Sequence, residues 1–430
     1  MPDPQQQNID LAGEREVLPS NRISFHLRSS RRARWSLRLI AFLTFIALFS
    51  DFIANERPLY CRIEGKTYFP VIRQYAVDAG FASWEPRFLR TAWRDQDYEQ
   101  VIFPLIPYSA NTVDIDNLNF KSPFEDQRLR SGRFRHFLGT DSVGRDVAAG
   151  LIGGVRTSLL VGLLAMSIAS LIGLLFGALA GYFGDEGLKW SAARLVLNPL
   201  GFVVGLWVAF GARAWSLTFG ESPVWEMGKS FLLFLCVMTF VNLLASLLDR
   251  FSIFRSRHRL PVDLFVMRLI ELFHSVPLLL IILALLAIIR KPSLWHVITI
   301  IGLVSWTGIA RFTRAEFLRI RNLEYVEAAR ALGFSDWRII WNHIFPNAIT
   351  PLLIVFSFGI AGAILAEATL SFLGIGNPDN VITWGAMLRQ ARSNIQAWWL
   401  ALFPGFALFV TIAVFNIFGE SLSQAMGGKG

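Results

Sequence analysis

The sequence predicts an all-α polytopic membrane protein, and three observations lead there. Of 430 residues, 53% carry hydrophobic side chains and only 17% are charged, with a mean hydropathy of +0.46; water-soluble folds are usually less apolar. The apolar residues gather in runs of the length a helix needs to cross a hydrocarbon core, roughly 20 residues. Between the runs lie polar, arginine-rich stretches such as membrane proteins keep in their loops.

Eight apolar runs occur in order, near 39–54, 157–183, 195–212, 231–248, 264–289, 295–312, 348–372 and 397–419. The first, LIAFLTFIALFSDFIA, is short and carries Asp51 near its end. Residues 1–38 before it are too long and polar for the leader of a signal peptide, so the run reads as an anchor. Arg28, Arg31, Arg32, Arg34 and Arg38 crowd its entrance and place the amino terminus in the cytoplasm.

Residues 55–156 then lie outside the membrane. They are polar and aromatic, with turn signals at Pro107 and Asn111, and predict a small extracytoplasmic domain with strand around KTYFPVI, Lys66 to Ile72. The span at 157–183 brings the chain back in. Along it Gly173, Gly177 and Gly181 repeat every four residues and make a groove for a neighbouring helix.

Residues 184–262 hold two more runs, the first broken by Asn198 and Pro199. Both must cross or neither, since a single crossing would turn the arginine-rich stretch Arg311 to Arg338 outward; the reading adopted is that both cross. The last four spans occupy 263–425, and 426–430 is a short tail.

A net charge of +9 would suit nucleic acid, but excess arginine in cytoplasmic loops accounts for it, and no nucleic-acid partner is expected. Cys61 and Cys236 make neither a disulfide framework nor a metal cluster, the six histidines are scattered, and no HExxH or GxSxG pattern occurs. No catalytic group, metal or cofactor is expected in this chain. MGKS, Met227 to Ser230, has the end of a phosphate loop, but Pro223 stands where the upstream glycine belongs and no strand precedes it.

The stretch EAARALGFSDWRIIWNHIFPN, Glu327 to Asn347, sits between the sixth and seventh runs and so in the cytoplasm. Trp337, Ile340, Trp341 and Ile344 recur at i, i+3, i+4 and i+7, on one face of a helix. Leu323, Val326, Ala329 and Leu332 recur every third residue, a stripe that drifts around an earlier helix. Gly333 can end that first helix in the left-handed conformation, Ser335 can cap the second, and Pro346 limits it before the membrane. This predicts a two-helix cytoplasmic hairpin within about 313–347. On these residues alone, a helix lying on lipid headgroups is an equal reading.

Glu327, Ala328 and Ala329, then after three intervening residues Gly333, and Pro346 thirteen beyond that, resemble the EAA loop of binding-protein-dependent ABC importers. HFLGTDSVGRDVAAGLIGGVRTSLLVG (His136 to Gly162), MRLIELFHSVP (Met267 to Pro277), AEATLSFLGIG (Ala366 to Gly376), WGAML (Trp384 to Leu388) and LALFPGFALFVTIAVFNIFGESL (Leu400 to Leu422) are similar to C-type permeases of oligopeptide and dipeptide importers. The outer region, with KTYFP and PLIPYSANTVD, is nearer to the subgroup for microcin C-type peptides. Glu271 stands where that family has aspartate, the usual aspartate-proline-arginine ending is missing, and 184–262 is an insertion.

The resemblance implies a type I ABC importer transmembrane domain of six core helices, here with two inserted helices. Glu327, Ala328, Ala329, Gly333, Trp337 and Pro346 would form the loop that enters a groove of a cytoplasmic ATPase subunit. A second homologous permease, a pair of ATPase subunits, an extracytoplasmic binding protein and the bilayer are the partners implied, in the cytoplasmic (inner) membrane. Glu367, four residues before Ser371 in the seventh span, and Trp384 fall near the outer mouth, as part of a translocation path, an outer gate or an interhelix hydrogen bond. The rival class is a proton-coupled secondary transporter complete in one chain, which calls for paired intramembrane acids or an inverted repeat.

Overall fold

The computed structural model describes residues 30–427, apart from 87, 89–91, 130, 214, 217–222, 252–255 and 377–380. The arm up to residue 29 with Arg28, part of the loop between the last two spans, and the end of the tail lie outside the described residues. The chain divides into two compact units, Met1–Gly177 with Ile270–Gly430, and Ala178–Leu269.

In the first unit, α1 (Arg31–Leu48) starts eight residues before the apolar run because the Ser30 hydroxyl accepts from the Ala33 amide at 3.4 Å and caps it. The helix breaks at Phe49 and resumes as the short α2 (Ser50–Ile53). Beyond it, β1 (Tyr60–Ile63), β2 (Lys66–Tyr68) and β3 (Gln100–Ile102) form an antiparallel sheet in the order β2-β1-β3, with Cys61 opposite both Tyr68 and Val101. The strand expected over Lys66 to Ile72 stops at Tyr68. Pro70 sits at the first turn of α3 (Pro70–Asp78), where its fixed φ and missing N–H suit a helix start. A sheet this small is held by aromatics: Phe88 and Trp93 stack at 4.9 Å over Cys61, Ile63 and Tyr68.

The long α4 (Val147–Phe183) begins ten residues before the apolar run, since Asp146 Oδ1 accepts from the Ala149 amide at 2.7 Å. The glycine groove is filled by α9 (Leu294–Arg321): a Cβ on Gly173 would lie 2.7 Å from the Trp306 carbonyl oxygen, and one on Gly177 would lie 2.5 Å from that of Ala310. Close backbone approach of this kind is how small residues join membrane helices. Further along, α12 (Phe345–Leu373) packs on α9 and on α14 (Trp399–Gly427), and α14 packs on α1. The short α13 (Trp384–Ser393) rests on α12 and α14.

In the second unit, α5 (Ala192–Leu206), extended by a wide turn over Trp207–Gly211, packs along α6 (Pro223–Leu248). Gly201 and Gly205 face Val241 and Phe234. Strands β4 (Lys189–Ser191) and β5 (Arg257–Arg259) pair antiparallel and join the ends of this insertion. Gly228, Lys229 and Ser230 are helical within α6; Lys229 Nζ donates to Glu226 at 2.6 Å and Ser230 is buried, so no phosphate loop forms there.

The expected span at 264–289 is broken. The helices α7 (Val262–His274) and α8 (Leu278–Ile288) meet at 81° across Ser275–Pro277, where proline removes a donor and bars helical geometry at the residue before it. Among the described residues, six helices are long and apolar enough to cross a membrane, or seven if this bent pair is one span. Seven of the eight expected runs thus appear as these helices, the bent pair included; α1 is not among them because four of its first eight residues are arginine.

Candidate functional site

The hairpin after α9 is built as two short helices around one glycine. The first, α10 (Glu324–Ala331), ends in a closed turn: the Gly333 amide donates to the Arg330 carbonyl at 3.0 Å and the Phe334 amide to that of Ala329 at 3.2 Å. This pattern needs a left-handed residue, and Gly333 takes φ +80° with nothing within 4 Å of where a Cβ would stand. Ser335 then caps α11 (Asp336–Ile339), accepting from the Arg338 amide at 3.4 Å.

The second arm does not stop at Pro346. It runs through a wide turn, Ile340–Ile344, straight into α12, so that one helical stretch extends from Asp336 to Leu373. The wider turn absorbs the hydrogen bond that proline cannot donate, and Pro346 lies in the first turn of α12.

Burial sorts the hairpin's apolar residues. Val326, Ala329, Ile339 and Ile344 are buried, whereas Leu332 is 74% exposed, Trp337 70% and Trp341 46%. The drifting stripe thus splits, with Ala329 inside and Ala328 on the surface. Trp337 and Trp341 meet edge to face at 5.4 Å, and Arg338 lies 4.5 Å over Phe334. Glu327 is exposed and has no ion-pair partner among the described residues. The two arms are also tied by Asn347 Nδ2, which donates to Tyr325 Oη at 3.3 Å. The product is a rigid apolar knob with a free carboxylate, a shape suited to a complementary groove.

The second cluster lies just before the start of α4. Thr140 to Asp146 form a turn in which Asp141 Oδ1 accepts from the amides of Val143 and Arg145 at 2.9 and 2.8 Å. Gly144 is left-handed at φ +81°, and a Cβ on it would lie 2.2 Å from the Asp114 carbonyl oxygen. His136, fully buried under the ring of Tyr108 at 4.3 Å, points Nδ1 at Asp146 Oδ2 (2.8 Å) and Nε2 at Asp114 Oδ2 (3.1 Å). As the imidazolium it donates to both. Burial alone would lower its pKa, but the two carboxylates outweigh burial and raise it. Burial likewise opposes the charge on Asp114, yet hydrogen bonds from His136, Asn117 and Arg94 hold its carboxyl well below the usual range.

This turn is locked to the segment before α14. Gln390 Nε2 donates to Asp141 Oδ2 at 3.1 Å, its Oε1 accepts from the Ser142 hydroxyl at 3.2 Å, and Trp399 Nε1 donates to the Thr140 carbonyl at 3.0 Å. Trp384 Nε1 donates to the Leu151 carbonyl at 3.1 Å, its indole pressed on Gly154. Glu367 is 1% exposed and accepts from the Ser371 hydroxyl at 2.6 Å. Gly385, next to Trp384, lies against Ala368 and Ser371. Glu367, Ser371 and Trp384 therefore share one neighbourhood, beside a cavity of about 330 Å³ lined by Asp141, Arg145, Ile382, Met387 and Gln390. Glu327, Gly333 and Trp337 belong to the hairpin instead.

Sequence reasoning missed Asp51 with Arg156 and Asp141 with Gln390. An acid in an apolar run and an arginine opening another were the available signal for the first pair; nothing local marks Gln390.

Residues 250–428 match the family model for the binding-protein-dependent transport system inner membrane component. The chain is 28% identical over 423 residues to the peptidoglycan transport system permease protein YejE of Agrobacterium fabrum, covering 93% of this chain and 90% of that one. It is 28% identical over 402 residues to the inner membrane ABC transporter permease protein YejE of Escherichia coli K12, covering 93% and 94%. With the dipeptide transport system permease protein DppC of Bacillus subtilis it shares 27% identity over 296 residues, covering 68% and 69%.

Proposed function

We propose that this chain, a binding-protein-dependent ABC transporter permease for peptides or peptide-like substrates, is driven by ATPase subunits through the hairpin Glu327 to Pro346. It is a multi-pass inner membrane protein and not itself an enzyme, and its system implies a binding protein and ATPase partners. ATP binding closes the ATPase pair, the hairpin follows, and the unbroken helix from Asp336 tilts the bundle from inward-facing to outward-facing. The free energy comes from the different contacts the two conformations make with the partners, as any coupling requires. The observation that carries this reading is the exposed apolar knob of Leu332, Trp337 and Trp341 on a hairpin whose turn is otherwise fully hydrogen-bonded.

In this reading α1, α4, the bent pair α7 and α8, α9, α12 and α14 are the six core helices of a type I importer, and α5 and α6 are an insertion within 184–262. The amino terminus and residues 313–347 face the cytoplasm, and 55–156 lie outside. Two features support α1 as a crossing: its arginines are confined to its first two turns, and Asp51 is paired with Arg156. A second, homologous permease completes the cavity, and Glu367, Ser371 and Trp384 brace its outer mouth. Similarity to permeases named for YejE and dipeptide systems supports peptide-like cargo, with the microcin C-type subgroup nearest.

The test is uptake into vesicles holding this chain, its partner permease and the ATPase subunits. Peptide should accumulate only with ATP and a loaded binding protein. Accumulation by this chain alone under a proton gradient would replace the importer reading by a secondary transporter.

A further inference from the structure

Two adjoining cavities open where α1 leaves the bundle. One, about 450 Å³, lies between α1 and α14 and is lined by Arg31, Trp35, Leu39, Val414 and Ile417, with Arg32 and Glu420 at its lip. The other, about 270 Å³, is lined by Arg31, Arg34, Trp35 and Arg38 alone. They share Arg31 and Trp35, so an apolar crevice continues directly into a cationic bowl.

The polar groups of the crevice are already satisfied. Ser36 Oγ donates to the Ala33 carbonyl at 2.9 Å, Ser421 Oγ to that of Ile417 at 2.8 Å, and Gln424 Nε2 to Glu420 Oε1 at 3.0 Å. The guanidiniums are not. Arg31, Arg32, Arg34 and Arg38 are exposed and have no carboxylate partner among the described residues; Arg38 instead lies 5.9 Å over the Trp35 ring. Four cations against the single carboxylate of Glu420 leave a strong local excess of positive charge.

We propose that this double cavity holds one anionic phospholipid, with an acyl chain in the crevice against Leu39, Val414 and Ile417 and the phosphate in the bowl of Arg31, Arg34 and Arg38. Charge complementarity selects the anionic headgroup, since arginine clusters beside membrane helices attract acidic lipids and its planar donors fit phosphate oxygens. Trp35, 68% exposed between the two compartments, has the position that indoles favour at the boundary of hydrocarbon and headgroups. The lipid would wedge α1 onto α14 and fix how the amino-terminal helix joins the bundle. This requires only that the chain sits in a bilayer, not that any particular ATPase docks beneath it.

The test uses the full chain in nanodiscs of dioleoylphosphatidylcholine doped with dioleoylphosphatidylglycerol, followed by native mass spectrometry of the released protein. Phosphatidylglycerol should stay bound in preference to phosphatidylcholine, and millimolar inorganic phosphate should not displace it. The variant Arg31→Gln/Arg34→Gln/Arg38→Gln should lower its retention by at least about tenfold. Ile417→Trp, which fills the crevice and leaves every charge in place, should also lower it. Equal retention of both lipids, displacement by free phosphate, or unchanged retention in either variant would overturn the proposal. So would cross-links from residues 1–29 into the crevice of a lipid-free protein.

Discussion

Arg156 Nη2 lies 2.8 Å from Asp51 Oδ2, and the same guanidinium donates through Nε to the Ala47 carbonyl at 2.9 Å. Tyr75 Oη donates to that carboxylate as well, at 2.6 Å. The pair joins α2 to the first part of α4, across 105 residues of sequence. The acid within the first apolar run is thereby given a counter-charge.

Both partners are about one-third exposed, 36% and 32%, so water screens the attraction. A double-mutant cycle with Asp51→Ala and Arg156→Ala should return a coupling of about 1 kcal/mol, read by denaturation of the detergent-solubilised protein. Removing Arg156 should be the more damaging single change, because the Ala47 carbonyl then also loses its donor. A coupling near zero would mean that α1 is held by its packing on α14 alone.

Two left-handed glycines should respond very differently to the same substitution. Gly144→Ala forces a Cβ to within 2.2 Å of the Asp114 carbonyl oxygen in addition to the backbone penalty, and should destabilise by more than about 3 kcal/mol, with sharply reduced yield. Gly333→Ala meets open space and should cost only about 1–2 kcal/mol. Membrane insertion of the Gly333 variant should stay normal while ATPase association weakens. Comparing yield and thermal stability of the two variants checks the prediction.

The region around His136 and Asp114 should be most stable between mildly acid and neutral pH. His136 has a raised pKa in the fold, so its contribution is full below its ordinary value of 6.5 and is lost as pH rises through the raised value. Asp114 has a lowered one, so its contribution is full above its ordinary value of 3.8 and is lost as pH falls through the lowered value. His136→Gln should abolish the alkaline decline and weaken the acid one, which Asn117 and Arg94 then sustain. Tryptophan fluorescence during melting, followed as a function of pH, reads both limbs.

What was legible in the sequence was what local pattern encodes. The apolar runs marked most of the membrane helices, Gly173 and Gly177 marked the groove that α9 fills, and Gly333 with Ser335 marked the hairpin turn to the residue. Pro346 misled because proline's effect depends on the turn around it: a wide turn let the helix run on where an ordinary one would have ended. Pro277 can kink or begin a span, but the hydropathy of its run gave no measure of the 81° bend. The contacts that build the cluster around Asp141, Asp141 with Gln390 and Thr140 with Trp399, span 249 and 259 residues. They depend on the fold bringing α13 beside the turn before α4, and no periodicity carries that. Burial of Ala329 but not Ala328 has the same origin, since only the second arm of the hairpin decides which side is inside.

The central claim is that the knob around Gly333 seats in an ATPase subunit. Its most direct measurement is site-specific photo-cross-linking from a benzophenone placed at Leu332→Cys, in a Cys236→Ser background, in inverted vesicles carrying the assembled complex. The account predicts an adduct with the ATPase subunit that changes in yield between the ATP-bound and nucleotide-free states. Adducts with lipid alone, or labelling from the outer side of sealed right-side-out vesicles, would contradict it.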